Sequence, residues 1–394
     1  MMKHILIVLF AFVCLPLMSA EVDSVDVCLF HNKNITSVVF TPVNSTYLVS
    51  ANGDKEYKLE ENKLLYISCF NNQILVSTLS NVVGVFDTIR ICSTDSSGYF
   101  RLKPIKPSLE SRSYDDNIVV TNNSGSLKLI NRVDVNKYLA GVVLAEAGPN
   151  IIQEFYKTQA LISRTYLLGH IDRHLSEGFN VCDDVHCQAY HGRNNINHRI
   201  FESVVLTDHL IIVDSVNDII TAAFHSNSGG LTSNSEVEWS SPLPYLRSVV
   251  DPYSINQRNY KWTKKVPINE WRNFLMENEF SGKSIRRKKL MLSVKNRSKF
   301  LIIGEDSIRT REIRKYFNLR SSFFSIDVEG RYVVFNGLGY GHGVGLSQIG
   351  AMKMAHLGFN YEQIIKFYYS NVQLVSYDKY LEEKRNRETA IIIE

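Results

Sequence analysis

The chain has 394 residues, 21% of them charged, with a formal net charge of +4 and six cysteines. That length suits one large domain with an appendage or two to three smaller ones. The mild charge, with no dense basic tract interleaved with aromatics, excludes a nucleic-acid binder, whereas a slightly basic surface is compatible with an acidic polymer.

Met1 to Ala20 combine a basic start at Lys3, the apolar run ILIVLFAFVCLPLM and the small pair Ser19-Ala20. This is the layout of a secretory signal peptide cut near Ala20. The run is too short to span a bilayer comfortably. The mature protein is therefore expected to be exported, in the periplasm or cell envelope, and peripheral to the membrane at most. Cys14 lacks the small-residue context of a lipidation site. Cys28, Cys69, Cys92, Cys182 and Cys187 remain, an odd set for an exported protein, so at least one is free or some hold a metal.

From Glu21 to about Lys103, short β-branched and aromatic runs such as SVVF, TYLVS, KLLYISCF and QILVSTL alternate with turn pairs like Asn52-Gly53 and Asn71-Asn72. They predict a β-rich N-terminal region, residues 21–111, acting as a binding or spacer module. Cys28, Cys69 and Cys92 lie inside such runs as inert thiols, with a Cys69–Cys92 disulfide as the alternative. The polar, proline-bearing stretch 103–117 reads as a connector. Strands around Asn123-Ser124-Gly125 then lead into helices.

The first helix carries Leu139, Val142 and Val143 as an apolar stripe and is stopped by Gly148-Pro149. Glu146 is thereby placed at a helix C-terminus, where the dipole disfavours its charge and raises its pKa, as a general acid requires. A lone glutamate at a helix end is also a common solvated surface residue. The second helix, Ile151 to about His170, bears Phe155, Gln159, Ile162 and Tyr166 on one band, with Lys157 and Arg164 as nearby cations.

His170, His174, Cys182, His186, Cys187 and His191 follow in close succession. Such density suits a tetrahedral Zn2+ site, although Cys182 and Cys187 are spaced more widely than the usual zinc pair; export equally favours a Cys182–Cys187 disulfide. With four protein ligands the metal would be structural. Residues 204–224 are expected to form strands around an Asp208-His209 turn. The loop Ser226-Asn227-Ser228-Gly229-Gly230-Leu231-Thr232 lets backbone approach a ligand, or serves a serine hydrolase with Ser226 or Ser228 as nucleophile and a histidine as base, though no nucleophile elbow surrounds these serines. Helices are expected near Trp271 and Ile313, and the basic run Arg286-Arg287-Lys288-Lys289 reads as a solvated face. In GLGYGHGVGLSQIGA, alternating glycines flank His342, marking it as a site candidate where backbone passes close to something. A phosphate loop is excluded by the missing Gly-Lys-Ser/Thr ending. The charged tail, residues 379–394, is expected to be mobile.

Together YLAGVVLAE with KTQALISRTY, HCQAYHG, FHSNSGGLTSN with PYL, and GYGHGVGLSQIGAMKMA with FYY resemble the stage II sporulation protein D (SpoIID) family over roughly residues 112–376. The family's acid is usually followed by Met-Pro; here Glu146 is followed by Ala-Gly-Pro. The resemblance implies an α+β fold, in which the β-rich N-terminal region precedes a mixed α/β catalytic domain, residues 112–378, with the active-site Glu at a helix end. It implies a peptidoglycan lytic transglycosylase that cuts MurNAc–GlcNAc bonds of peptide-stripped strands and leaves 1,6-anhydro-MurNAc ends, with Glu146 as acid and then base. It implies a structural zinc on His174, Cys182, His186 and Cys187, with His170 as substitute for His174. Arg164, Tyr166, Gln188, Tyr190, Ser226, Ser228, Thr232, His342 and Gln348 are the candidate glycan contacts. The family's second role, as a non-catalytic enhancer of a cell-wall amidase, is the alternative.

Overall fold

A computed structural model describes residues 22–51, 55–282 and 296–393. The leader and the basic run at 286–289 lie outside the described residues. The fold is α+β, as expected.

Two sheets form the first layer pair. One orders its strands as Val181–Cys182, Ser24–Leu29, Ser126–Asp134, Asn117–Asn123, Thr88–Ser93, Tyr47–Ala51 and Lys55–Leu59; the other as Arg112–Asp115, Tyr99–Lys106, Ser37–Val43, Leu65–Phe70, Gln73–Ser77 and Val82–Phe86. Alternation sets the inner faces: Val38 and Phe40 from one strand, Leu65 and Ile67 from its partner, and Ile118 and Val120 from the opposite sheet are all buried. Phe40 and Phe100 stack in this core, with Tyr47 edge-on to both and Tyr114 tilted against Phe100.

Strand pairing crosses the boundary expected between residues 111 and 112. Ser24–Leu29 pairs antiparallel with Ser126–Asp134 and parallel with Val181–Cys182, and Asn117–Asn123 pairs with Thr88–Ser93. The N-terminal strands are thus part of the wall that carries the Cys/His segment. Pairing across such separations has no local signature, so short alternating runs read as a separate module. The Cys69–Cys92 disulfide does not form; both are free thiols.

Helix α1, Val135–Ala147, leaves the sandwich with Asp134 as N-cap, its carboxylate accepting from the Lys137 N–H. Helix α2, Gln153–Gly169, is buried on nearly every side. A second core joins it to the helices Gln348–His356 and Tyr361–Tyr368 through Phe155, Ile162, Met354, Ile364 and Tyr368. A third surrounds Trp262, Trp271, Phe317 and Phe335, where a three-stranded sheet packs on helices Ile268–Glu277 and Thr310–Tyr316.

Two local expectations are corrected. Residues expected to open a strand at Val204 end helix α3, His198–Leu206, which buries Ile200, Ser203 and Val204 at helical spacing. The Val-Val pair suggested a strand, but tertiary burial outweighs β propensity. The turn does fall at His209, which has a positive φ of 58°. The tail is helical over Tyr377–Ile393: Tyr380 packs with Leu168, Ile211 and Val213, and Arg387 donates to the carbonyls of Val216 and Asn217. No described helix is long and apolar enough to cross a membrane.

Candidate functional site

Glu146 occupies the last turn of α1, one residue before Ala147 closes the helix. The break that follows is fixed by side chains. Gly148 has φ 79°, open to glycine, and its N–H donates to Leu144 O. The buried Tyr156 hydroxyl accepts from the Ile151 N–H at 2.9 Å and donates to Gly148 O at 3.0 Å, while Asn197 donates to Pro149 O at 2.7 Å.

The Glu146 carboxylate is half-buried, and burial pushes its pKa up. The Ala189 N–H and the Gln348 side chain donate to it and pull the pKa partly back. The Glu146 pKa is therefore raised, and desolvation by burial is the cause of the rise. Among the described residues, no charged side chain contributes to this shift. Gln348 also donates to Gln159 Oε1 at 3.3 Å, and Gln159 is fully buried on α2. Glu146, Ala189 N–H, Gln348 and Gln159 thus come from four separate segments.

Just before Ala189, the side chains of His174, Cys182, His186 and Cys187 bring their ligand atoms within 4.8 Å of one another. Cys187 Sγ lies 3.5 Å from His174 Nε2, and His186 Nδ1 lies 3.8 Å from both sulfurs. Ligands 2.0 to 2.3 Å from a tetrahedral Zn2+ are separated by about 3.3 to 3.8 Å. These spacings fit that edge. His174 Nδ1 faces Glu177 Oε1 at 2.5 Å, the carboxylate support typical of a metal-binding imidazole. Cys182 and Cys187 are free thiols, and a hydrogen bond from Cys182 holds the Cys187 thiol below the ordinary cysteine range. His170 stays apart, bonded to Tyr166 O and stacked on the Tyr166 ring.

Residues 123–213 match the model of the stage II sporulation protein family, SpoIID. The chain carries a SpoIID domain. It is 28% identical over 365 residues to an uncharacterized protein of Brachyspira hyodysenteriae, covering 89% of this chain and 95% of that one. It is 28% identical over 267 residues to stage II sporulation protein D of Bacillus subtilis, 64% of this chain and 77% of that one. To the amidase enhancer of Bacillus subtilis it is 27% identical over 297 residues, 61% of this chain and 40% of that protein.

The SpoIID match spans α1, Glu146, α2 and the Cys/His cluster, whereas Gln348 and His342 come from beyond it. Several residues expected in the cleft serve the scaffold instead. Arg164, 2% exposed, caps the carbonyls of Val204 and Thr207 and holds Asn136, in the first turn of α1. At 1.5 Å rise per residue that lies roughly 15 Å from Glu146. Helical spacing gave its face but not its direction. Tyr166 sits beside the Cys/His cluster, accepting from Arg173 at 2.6 Å and donating to His186 O. Tyr190 is fully buried between Tyr114 and Tyr138, its hydroxyl on Asn131. Ser228 donates to Asp251 Oδ2 at 2.7 Å and accepts from Gly230 N–H, and buried Thr232 accepts from Val249 N–H. Ser228 is committed to Asp251 and has no hydrogen bond with a histidine among the described residues, so the Ser228–histidine pair of a serine hydrolase is not formed there.

Gln188 accepts from the Tyr138 hydroxyl at 3.4 Å, and its buried Nε2 has no partner among the described residues. Ser226 borders the Glu146 corner, since its carbonyl accepts from Ile349 N–H at 3.0 Å and its hydroxyl accepts from Asn259. His342 Nδ1 accepts from Val344 N–H, and its ring packs against His225 and Trp239. Burial, and then the Arg314 charge, lower its pKa to about 4, so it is neutral at physiological pH. Sequence reasoning missed the Ala189 N–H, which carries no side-chain signal, and Tyr156 and Asp251, which look like ordinary core and loop residues.

Proposed function

We propose that the protein acts on the cell wall as a peptidoglycan lytic transglycosylase, with Glu146 as its one acid–base group. The observation that carries this reading is the Glu146 environment: a half-buried carboxylate of raised pKa, donated to by Ala189 N–H and Gln348 and uncoupled from any other charge among the described residues. Hydrolytic glycosidases work with a carboxylate pair, and retaining ones hold it about 5 Å apart. A partner that close would perturb Glu146. A single acid suffices when the nucleophile is the sugar's own hydroxyl.

In this mechanism protonated Glu146 donates to the glycosidic oxygen as the C1–O bond to the GlcNAc unit breaks. The 6-hydroxyl of the MurNAc residue bonds to C1, and ionised Glu146 takes its proton. Proton and charge balance, no water is consumed, and the acid is regenerated. The donors at Ala189 and Gln348 stabilise the ionised state between the two transfers, while burial favours the protonated form. His174, Cys182, His186 and Cys187 would hold a structural Zn2+, which ties down the segment that presents Ala189 to Glu146.

Cleavage of purified peptide-free glycan strands by wild type and its loss in Glu146→Gln, with strand binding kept, test the reading. A relative named amidase enhancer supports a second one, in which the same cleft holds glycan for a partner amidase without cutting it. Strand binding without cleavage by the wild type, together with stimulation of an added cell-wall amidase, would select that role.

A further inference from the structure

The glycine loop that leads to Gln348 begins on a surface of a different character. Tyr340 is 44% exposed, and the Arg320 guanidinium lies 5.9 Å above its ring. The Gly341 N–H donates to Arg320 O at 2.9 Å, which locks the two segments together. Next along the loop, the His342 ring lies 5.7 Å from that of Trp239. Arg314 comes up beside them, donating only its Nε, to Leu319 O at 3.4 Å; its two terminal amino groups have no hydrogen-bond partner among the described residues. Behind the loop Arg297 sits flat on Gly343, where any Cβ would strike its guanidinium, and donates to Ser228 O and Leu231 O. Its Nη1 is buried and has no hydrogen-bond partner among the described residues.

The counter-charge here is small. Glu238 is buried and accepts from the Ser322 hydroxyl, and Arg311 is already engaged with Glu312 and the Glu238 carbonyl. Burial raises the Glu238 pKa and the Arg297, Arg314 and Arg311 charges pull it back, so three guanidinium groups share this one carboxylate. The positive field reaches the rings as well: the Arg314 and Arg297 charges help depress both His342 and His225. Guanidinium groups with spare donors, partly desolvated and set beside aromatic faces, are suited to a planar anion carried on an apolar ring face.

We infer that Trp239, Tyr340, Arg314 and Arg320 form a subsite for an acidic sugar, the aromatic faces taking the ring and the guanidinium groups its carboxylate. The inference rests on the glycan reading above and deepens it. In a peptidoglycan strand the carboxylate that fits is the lactyl ether group of a muramic residue, which is free only where the stem peptide is gone; with the peptide attached the same carbonyl is an uncharged amide. The surface would therefore read the state of the strand one loop away from the acid.

The test is binding of fluorescently labelled glycan tetrasaccharides to Glu146→Gln protein, so that cleavage does not intervene. Probes are the free-carboxylate muramyl oligosaccharide, the same molecule with its carboxyls converted to methylamides, and neutral chitotetraose. The free acid is expected to bind about five- to tenfold more tightly than the methylamide, and the gap to close to within about twofold in the Arg314→Gln/Arg320→Gln variant. Equal binding of acid and methylamide by the arginine-bearing protein would overturn the subsite while leaving the glycan reading intact. Failure of every oligosaccharide to bind would overturn the glycan reading itself. Because the ligand is altered as well as the protein, the outcome does not depend on the variant folding.

Discussion

The side-chain amide of Gln348 donates to the carboxylate of Glu146, joining the first turn of one helix to the last turn of another far away in sequence. Gln348 is held for this task by Gln159, whose Oε1 accepts its other N–H. An amide turned the other way would present oxygen to the carboxylate.

Removing that donor changes the titration in a fixed direction. Burial raises the Glu146 pKa and Gln348 lowers it, so Gln348→Leu should raise it further. The proton donor is the protonated form, so activity falls as pH climbs through the pKa; the alkaline limb of the kcat/KM profile should move to higher pH in the variant. The ionised intermediate is also less stabilised, so the maximal rate should drop roughly tenfold. A pH profile shows both; an unmoved limb would detach Gln348 from the acid.

Zinc, if bound as proposed, acts on the acid only through the chain. Elemental analysis should find about one zinc per molecule in the purified protein and none in Cys187→Ser. Melting of the variant should fall by more than about 10 °C, since structural zinc contributes to folding directly. Absence of metal from both, with equal melting temperatures, would contradict the assignment.

Gly141 lies where α1 meets the Tyr190 loop. A Cβ there would come within 2.3 Å of Gly192 O and 2.6 Å of the Tyr190 ring. The first obstacle is backbone, which cannot swing aside. Gly141→Ala should cost about 1 to 3 kcal/mol despite alanine's better helix propensity, measurable as a lower urea midpoint with unchanged slope.

His342 should make the fold acid-sensitive. Its folded pKa, about 4, is below that of the unfolded chain, so between about pH 6.5 and 4 the unfolded state binds more protons. Stability present above that window is lost as pH falls through it, by at most about 3 kcal/mol from this group. His225, buried and also depressed, adds in the same direction. In His342→Gln the loss between pH 7 and 4.5 should shrink, read by urea unfolding at each pH.

The helix end at Glu146 was legible because Gly148-Pro149 stops a helix in any context, and the Cys/His segment because those side chains are rarely dense by chance. What escaped were directions and partners. Arg164 stands on the expected helix but points to the C-terminus of α3. Ser228, Thr232 and Tyr190 carry the polar groups a sugar cleft uses, yet Asp251, Val249 N–H and Asn131 take them up internally. A polar glycine-bearing loop has the same composition whether its hydrogen bonds go to a ligand or to itself. Strand 24–29 gave its type by alternation, but its place beside Val181–Cys182 is set by long-range packing.

With Glu146 as the one acid–base group, as proposed, no water attacks the glycan once the leaving oxygen is protonated. Digestion of peptide-free strands in water enriched in oxygen-18, followed by mass spectrometry, tests this directly. New ends are expected to be lighter by one water than reducing sugars, to carry no label and to be absent with Glu146→Gln. Labelled reducing ends would contradict it, since they require water as nucleophile and a second group to activate it.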